Sequence, residues 1–138
     1  MKNLTFFLID DDADDREIFD LALKQVNPDH ICVSAENGEL AIEKLMAEQD
    51  FLPDYIFLDL NMPVMSGKDC LREIKKIPRL KSVPVIVYST SSAQMDIDET
   101  ALLGADQYFV KPTSVSGLSE AIESLISTPK IAFAVIRS

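Results

Sequence analysis

Cysteine, histidine and basic residues are all scarce in this 138-residue chain: two cysteines, one histidine, and 13 Lys and Arg against 23 Asp and Glu. Cys32 and Cys70 lie far apart, with no histidine or second cysteine beside either. That excludes zinc-ligand spacing and a CxxC redox pair, and leaves buried, reduced thiols of a cytoplasmic protein as the expectation. The lone His30, next to Pro28 and Asp29, is expected as an exposed loop residue. There is no GxxxxGK[ST] phosphate loop. No apolar run approaches the length of a membrane span, so no membrane association is expected. The opening MKNLTFFLIDDD is too short in its apolar part, and too soon interrupted by acids, for a signal peptide. A formal charge of −10 would be repelled by a duplex, which argues against direct nucleic-acid binding. Repeats, low-complexity segments and interdomain linkers are missing as well.

What is present is a regular alternation. Apolar, strand-like runs at 4–9, 31–35, 55–58, 85–88 and 107–110 alternate with helix-like stretches. The first helix is predicted over Ala13–Val26, ending at Asn27-Pro28. Asn37-Gly38 and Ser66-Gly67 open the second and third, the latter ending near Pro78. The fourth, predicted over 92–103, has a poor apolar stripe in which Asp96, Asp98 and Glu99 crowd Met95, Ile97 and Ala101, and Gly104 caps it. The fifth has the cleanest stripe: Leu118, Ala121, Ile122, Leu125 and Ile126. Five βα units with right-handed crossovers predict an α/β doubly wound fold: a five-stranded parallel sheet in the flavodoxin-like order 2-1-3-4-5, flanked by five helices. One compact domain over 1–127 suits this length. The tail, 128–138, carries the β-prone apolar run IAFAVI. It is expected to pack back on the domain, with an extra strand or a dimer contact as the alternatives.

Asp10 with Asp11, Asp59, Ser89 and Lys111 all fall at the C-terminal ends of predicted strands. In an open parallel sheet that edge is where ligands bind. Carboxylates held together raise one another's pKa or require a cation. Mg²⁺, with octahedral oxygen coordination and retained waters, is the natural match, and Mn²⁺ also fits. Lys111 can pair with Asp59 or with a phosphoryl oxygen, and Ser89 can donate a hydrogen bond to another. An aspartate can itself accept a phosphoryl group, a transfer that asks the protein mainly for positioning and charge neutralisation. Asp12, Asp14 and Asp15 read as helix N-terminal charges favoured by the macrodipole.

Four motifs carry a resemblance: FFLIDDD at 6–12, IFLDLNMPVMSG at 56–67, VPVIVYST at 83–90 and GADQYFVKP at 104–112. Over its first 127 residues or so the chain resembles the receiver domain of two-component response regulators, the CheY-like proteins. The resemblance implies that Asp59 is the phosphoacceptor, taking a phosphoryl group from a sensor histidine kinase. It implies that Asp10 and Asp11, with Asp59 and the backbone carbonyl of Asn61, hold Mg²⁺. Ser89 matches the switch hydroxyl, Tyr108 the aromatic switch position, and Lys111 the lysine that meets the phosphate. Pro112 follows, in a position where the family usually has a cis peptide bond. Thr90 departs from the family, which more often has Ala or Gly there. Ser91 and Asn61 occupy positions that tune phosphate lifetime in the family. The YSTSS segment also resembles a subset of stand-alone receivers, some paired with phytochrome-type kinases.

The function implied is that of a stand-alone response regulator, a phosphorylation-dependent interaction switch and not an enzyme beyond its self-catalysed phosphoryl uptake and loss. Its partners would be the kinase and a downstream protein, or a histidine phosphotransfer protein if the chain is a relay intermediate, and homodimerisation through the tail is open. A phosphorylation-independent binding module is the alternative of a different class. Phosphorylation would draw Ser89 inward and make room for Tyr108 to turn in behind it, switching a face made of the fourth helix, fifth strand and fifth helix. A DxD-type phosphatase is excluded by Asn61, where its second carboxylate would stand.

Overall fold

The computed structural model describes residues 3–128 and 133–137. Six strands and five α-helices alternate: β1 (Thr5–Ile9), α1 (Ala13–Val26), β2 (Ile31–Ala35), α2 (Gly38–Ala47), β3 (Tyr55–Leu58), α3 (Gly67–Lys75), β4 (Val85–Ser89), α4 (Gln94–Leu102), β5 (Gln107–Val110), α5 (Val115–Ser127) and β6 (Ala134–Ile136), with a 3-10 turn at Pro78–Leu80. The sheet is parallel throughout, in the order β2-β1-β3-β4-β5-β6. This is the expected doubly wound arrangement with one strand more. Residues 134–136 pair in parallel with Gln107, Tyr108 and Phe109, so β6 lies along the β5 edge that the expected output face would expose. Residues 129–132 and 138, which include part of the apolar tail, lie outside the described residues.

Strand alternation sorts the core into two layers. Phe7 and Ile9 join Ile56, Leu58, Val85 and Val87 against α2, α3 and α4, where Ala41, Leu45, Leu71, Ile74 and Ile97 are buried. Phe6 and Leu8 face the other way with Phe57, Ile86, Tyr88 and Phe109, against Phe19 and Leu23 of α1 and Leu118 and Ile122 of α5. An aromatic cluster fills this second layer, with Phe57 edge-on to Phe19 (4.9 Å between centroids) and to Phe109 (5.4 Å). β4 is buried along its whole length, as a central strand covered on both faces requires.

Four helices start on side-chain caps: Asp12 accepts from the Asp14 and Asp15 amides, Asn37 from Leu40, Ser66 from Asp69, and Ser114 from Gly117. α4 differs. It is shorter than the 92–103 stretch expected, has no side-chain cap of its own at Ala93, and buries only Ile97 and Thr100. The weak apolar stripe leaves few side chains to bury, and Ala93 carries no side-chain acceptor to serve as a cap. Gly104 follows with φ of 100°, the left-handed conformation that ends such a helix at least cost in glycine.

Two expectations fail here. His30 is not an exposed loop residue but 1% exposed, its Nδ1 accepting the Leu4 amide at 3.0 Å beside the Phe6 ring. A polar ring is buried where it satisfies a backbone donor that would otherwise be orphaned. No peptide bond among the described residues is cis, so the bond before Pro112 is trans, the isomer that an X–Pro amide favours by about 0.5–1 kcal/mol. Both cysteines are free, and burial pushes each thiol up to about 12, which keeps them protonated.

Candidate functional site

The strand ends converge through the ladder itself. The Asp10 amide bonds the Ala35 carbonyl (3.1 Å), that of Asp59 bonds Ile9 (2.9 Å), and that of Lys111 bonds Ser89 (2.8 Å). Asp10, Asp59 and Lys111 are each therefore the last rung of a strand pair, so their side chains are aimed by the sheet. Asp10 is fully buried, Asp59 is 6% exposed, and Asp11 is exposed. One carboxylate oxygen from each of these three lies within 4.8 Å of the others, a set that could hold a metal ion.

The charges are far from balanced. Burial raises the Asp10 carboxyl above its usual range, against the pull of the Asp12 amide and Lys111. Burial also pushes Asp59 up to about 6, with the Asp10 and Asp11 charges adding to it and Lys111 opposing. Lys111 Nζ sits 2.9 Å from Asp10 Oδ2, 2.7 Å from Asp15 Oδ2 and 3.8 Å from Asp59 Oδ2, and 5.0 Å over the Tyr88 ring. Burial alone would lower its pKa, yet the hydrogen bonds to Asp15 and Asp10 carry it above the usual lysine range. Three carboxylates close to one ammonium leave a net negative cleft, and hard oxygen donors in that number fit a cation such as Mg²⁺ or Mn²⁺.

Glycine 67 makes the close approach of the β3–α3 loop feasible. A Cβ on it would lie 2.2 Å from the Asp59 carbonyl oxygen and 2.5 Å from Leu60 Cα, while its amide bonds the Leu60 carbonyl at 2.9 Å. The same loop holds Val64 at φ of 72°, a conformation that costs a β-branched residue about 1–3 kcal/mol. Asn61 is exposed, with its amide 3.5 Å from Asp59 Oδ1.

Ser89 is fully buried, its Oγ accepting the Ser91 amide at 3.1 Å, and Thr90 beside it is exposed. Tyr108 is already inward: it is fully buried, and its hydroxyl donates to the Ser91 carbonyl at 2.8 Å. The expected inward turn is thus complete in this conformation, because the ring packs in the α2–α4 layer and its polar end finds an acceptor there. The Ser91 hydroxyl donates to Asp96 Oδ2 (2.6 Å), and Lys68 of α3 pairs with Asp96 (2.8 Å) and Glu99 (3.1 Å). Those bonds to Lys68 and Ser91 hold the Asp96 carboxyl below its usual range.

The expected Asp10, Asp11, Asp59 and Lys111 are brought together, with Ser89 at the end of β4, Pro112 just beyond β5, and Tyr108 inside β5 beside Val87. The importance of Asp15, Lys68 and Asp96 was missed from sequence. Asp15 offered one signal, an acid five positions after Asp10 on a capped first turn, but its partner is 96 positions away. Lys68 and Asp96 offered none.

The sequence matches the response regulator receiver domain family over residues 6–123. The chain is 28% identical over 125 residues to the chemotaxis protein CheY1 of Helicobacter pylori, covering 91% of this chain and 98% of that one. It is 29% identical over 124 residues to the response regulator Rcp1 of Synechocystis, covering 87% and 84%. Among solved structures it is similar to the phosphorylated cyanobacterial phytochrome response regulator RcpA, with a TM-score of 0.80, 29% identity and coverage of 93% and 97%. The Mn²⁺-bound form of Rcp1 is similar too, with a TM-score of 0.78, 27% identity and coverage of 94% and 99%. With this fold, this acidic strand edge and a family match spanning most of its length, the chain belongs to the response regulator receiver domains.

Proposed function

We propose that this protein is a response regulator that accepts a phosphoryl group on Asp59 from a sensor histidine kinase and thereby switches a protein-interaction surface. The supporting observation is the Asp59 carboxylate itself, almost buried, sharing a metal-competent cluster with Asp10 and Asp11 and lying 3.8 Å from the Lys111 ammonium. Asp10, Asp11 and Asp59, with the Asn61 carbonyl, would hold Mg²⁺, or Mn²⁺ as the similar Rcp1 structure does. Such an ion, when bound, neutralises charge that develops on the transferring phosphoryl oxygens.

An Asp59 carboxylate oxygen attacks phosphorus of the donor, forming the acyl-phosphate bond as the P–N bond to the donor imidazole breaks. The imidazole leaves with the bonding pair and takes up a proton from solvent. Lys111 neutralises one phosphoryl oxygen, and Ser89 and the Thr90 backbone segment meet another. Loss of the group is attack by water at phosphorus, which returns the carboxylate and inorganic phosphate. The phosphoryl group carries about −1.5 to −2 charge and strong acceptor oxygens, enough to draw the Ser89 hydroxyl from its place over the Ser91 amide. That bond joins Ser89 to Ser91, hence to Tyr108, Asp96 and Lys68, and so to α4. Residues 1–127 would form the receiver, with 128–138 as its appendage, working in the cytoplasm without nucleic-acid or membrane contact. No helix among the described residues is long and apolar enough to cross a membrane. The presence of every phosphoryl-site residue argues against a binding module that never needs phosphate.

Incubation with Mg²⁺ and acetyl phosphate tests the reading. An intact mass raised by one phosphoryl group, stable in acid, labile in base and absent in Asp59→Ala, is the expected result. An unmodified wild-type mass there and with a cognate kinase overturns it. Transfer of the label to a histidine phosphotransfer protein would mark a relay intermediate.

A further inference from the structure

Lys111 is not centred on the residue it is expected to serve. Its ammonium has three donors, on a side chain that is 9% exposed. The shortest contact goes to Asp15 (2.7 Å), the next to Asp10 (2.9 Å), and the Asp59 oxygen is farther off, at 3.8 Å. Asp15 does not belong to the strand edge. It lies in the first turn of α1, where the Asp12 cap holds its amide at 3.4 Å, so its carboxylate reaches the cleft from the helix side. A charge serving only the helix dipole would face solvent. This one is 31% exposed and bonded to an almost buried ammonium.

We propose that Asp15 is a positioning residue for phosphoryl uptake, one that parks Lys111 away from Asp59 until a phosphoryl group competes for it. The proposal rests on the phosphoacceptor reading above and adds to it. Asp10 is shared between Lys111 and any cation in the cleft. Once a cation takes Asp10, Asp15 is the carboxylate left to retain the ammonium against Asp59. A phosphoryl group on Asp59 offers more charge and more acceptors than a single carboxylate, and the ammonium passes to it. Asp15 therefore sets how much of the lysine–phosphoryl attraction is spent on breaking an existing pair. Removing its charge should favour the phosphorylated geometry, whereas removing a merely structural contact should loosen the site and disfavour it.

The test measures equilibrium binding of fluoroberyllate, which a carboxylate accepts as a tetrahedral phosphoryl surrogate, at saturating Mg²⁺, beside the binding of Mg²⁺ alone by calorimetry. Asp15→Asn keeps size and loses charge, and should bind fluoroberyllate about three- to tenfold more tightly, the range for a partly screened charge-assisted bond. The same variant should bind Mg²⁺ alone no more tightly than wild type, because an anion has been removed and Lys111 is left to Asp10. Asp15→Glu, which restores the charge, should return fluoroberyllate binding toward the wild-type value. Fluoroberyllate binding that is unchanged or weaker in a folded Asp15→Asn protein overturns the proposal, and so does an equal gain in Mg²⁺ affinity. A wild-type protein that binds no fluoroberyllate overturns the phosphoacceptor reading itself, which separates the two failures.

Discussion

Replacing Asp59 by Asn should make the metal-free protein more stable at neutral pH, although it removes the proposed phosphoryl acceptor. Asp59 is 6% exposed, and burial above all, with the Asp10 and Asp11 charges, raises its carboxyl from 3.8 to about 6 against the pull of Lys111 and the Asn61 amide. A folded-state value above the unfolded one means that the folded protein binds the proton more tightly. The stability tied to that proton is complete below pH 3.8 and is lost as the pH rises through about 6. At 1.36 kcal/mol per tenfold change in proton affinity, the loss by pH 7 is about 3 kcal/mol. The neutral amide never carries the charge. Asp59→Asn should thus gain about 3 kcal/mol at pH 7, about 10 °C in Tm for a chain of this size, and nothing near pH 3.5. Urea unfolding followed by circular dichroism in EDTA, from pH 3.5 to 8, measures the gap, and contributions from groups that do not face Asp59 cancel in the difference. Saturating Mg²⁺ should narrow it, because a cation held by the carboxylates stabilises the wild type by mass action. A variant no more stable than wild type at pH 7, or a gain that persists undiminished at pH 3.5, would refute the reasoning.

Gly67→Ala places a Cβ 2.2 Å from the Asp59 carbonyl oxygen, so the loop must shift by about 1 Å. A loss of about 3 kcal/mol in denaturant unfolding, with phosphoryl uptake down about 100-fold in the folded protein, is expected. His30→Leu leaves the buried Leu4 amide without its acceptor and should cost about 1–3 kcal/mol, while His30→Gln should recover much of it in the same melt. Burial and then Lys24 hold the His30 pKa below its ordinary 6.5, so its share of stability is whole above pH 6.5 and is lost as the pH falls through the lowered folded value. The stability of wild type relative to His30→Gln should fall between pH 7.5 and 5, the Asp59 contribution being common to both proteins. Lys68→Met removes both ion pairs that tie α3 to α4, and should cost no more than about 1 kcal/mol globally while clearly speeding amide exchange in α4. Exchange in α4 equal to wild type would show that the helix is held by packing alone.

Much of this was legible from the amino-acid order, and the reason is locality. A buried parallel strand needs an unbroken apolar run, a covered helix needs a 3.6-residue stripe, and caps sit beside the turns they start. Asp12, Asn37 and Ser66 are caps of this kind, and TFFLI and VIVYS could be assigned within a few residues of their neighbours. Because right-handed crossovers leave few ways to order such units, the gathering of Asp10, Asp11, Asp59, Ser89 and Lys111 at one edge followed from their places at strand ends. The weak stripe of α4 was visible for the same reason, although the helix is shorter than its sequence suggested.

What only the tertiary structure decided is which polar groups meet once the layers close. Asp15 looks like an ordinary helix-start acid until α1 packs and brings Lys111, 96 positions away, to 2.7 Å. His30 looks like a loop residue until β1 leaves the Leu4 amide in need of an acceptor. Lys68 and Asp96 are surface charges in sequence and a link between α3 and α4 in space. The pairing of residues 134–136 beside β5 depended on an open strand edge that no local pattern records. Hydrophobic periodicity is written along the chain and determines the fold. The partners of buried charge are chosen across it, by geometry and by the cost of leaving a polar group unpaired.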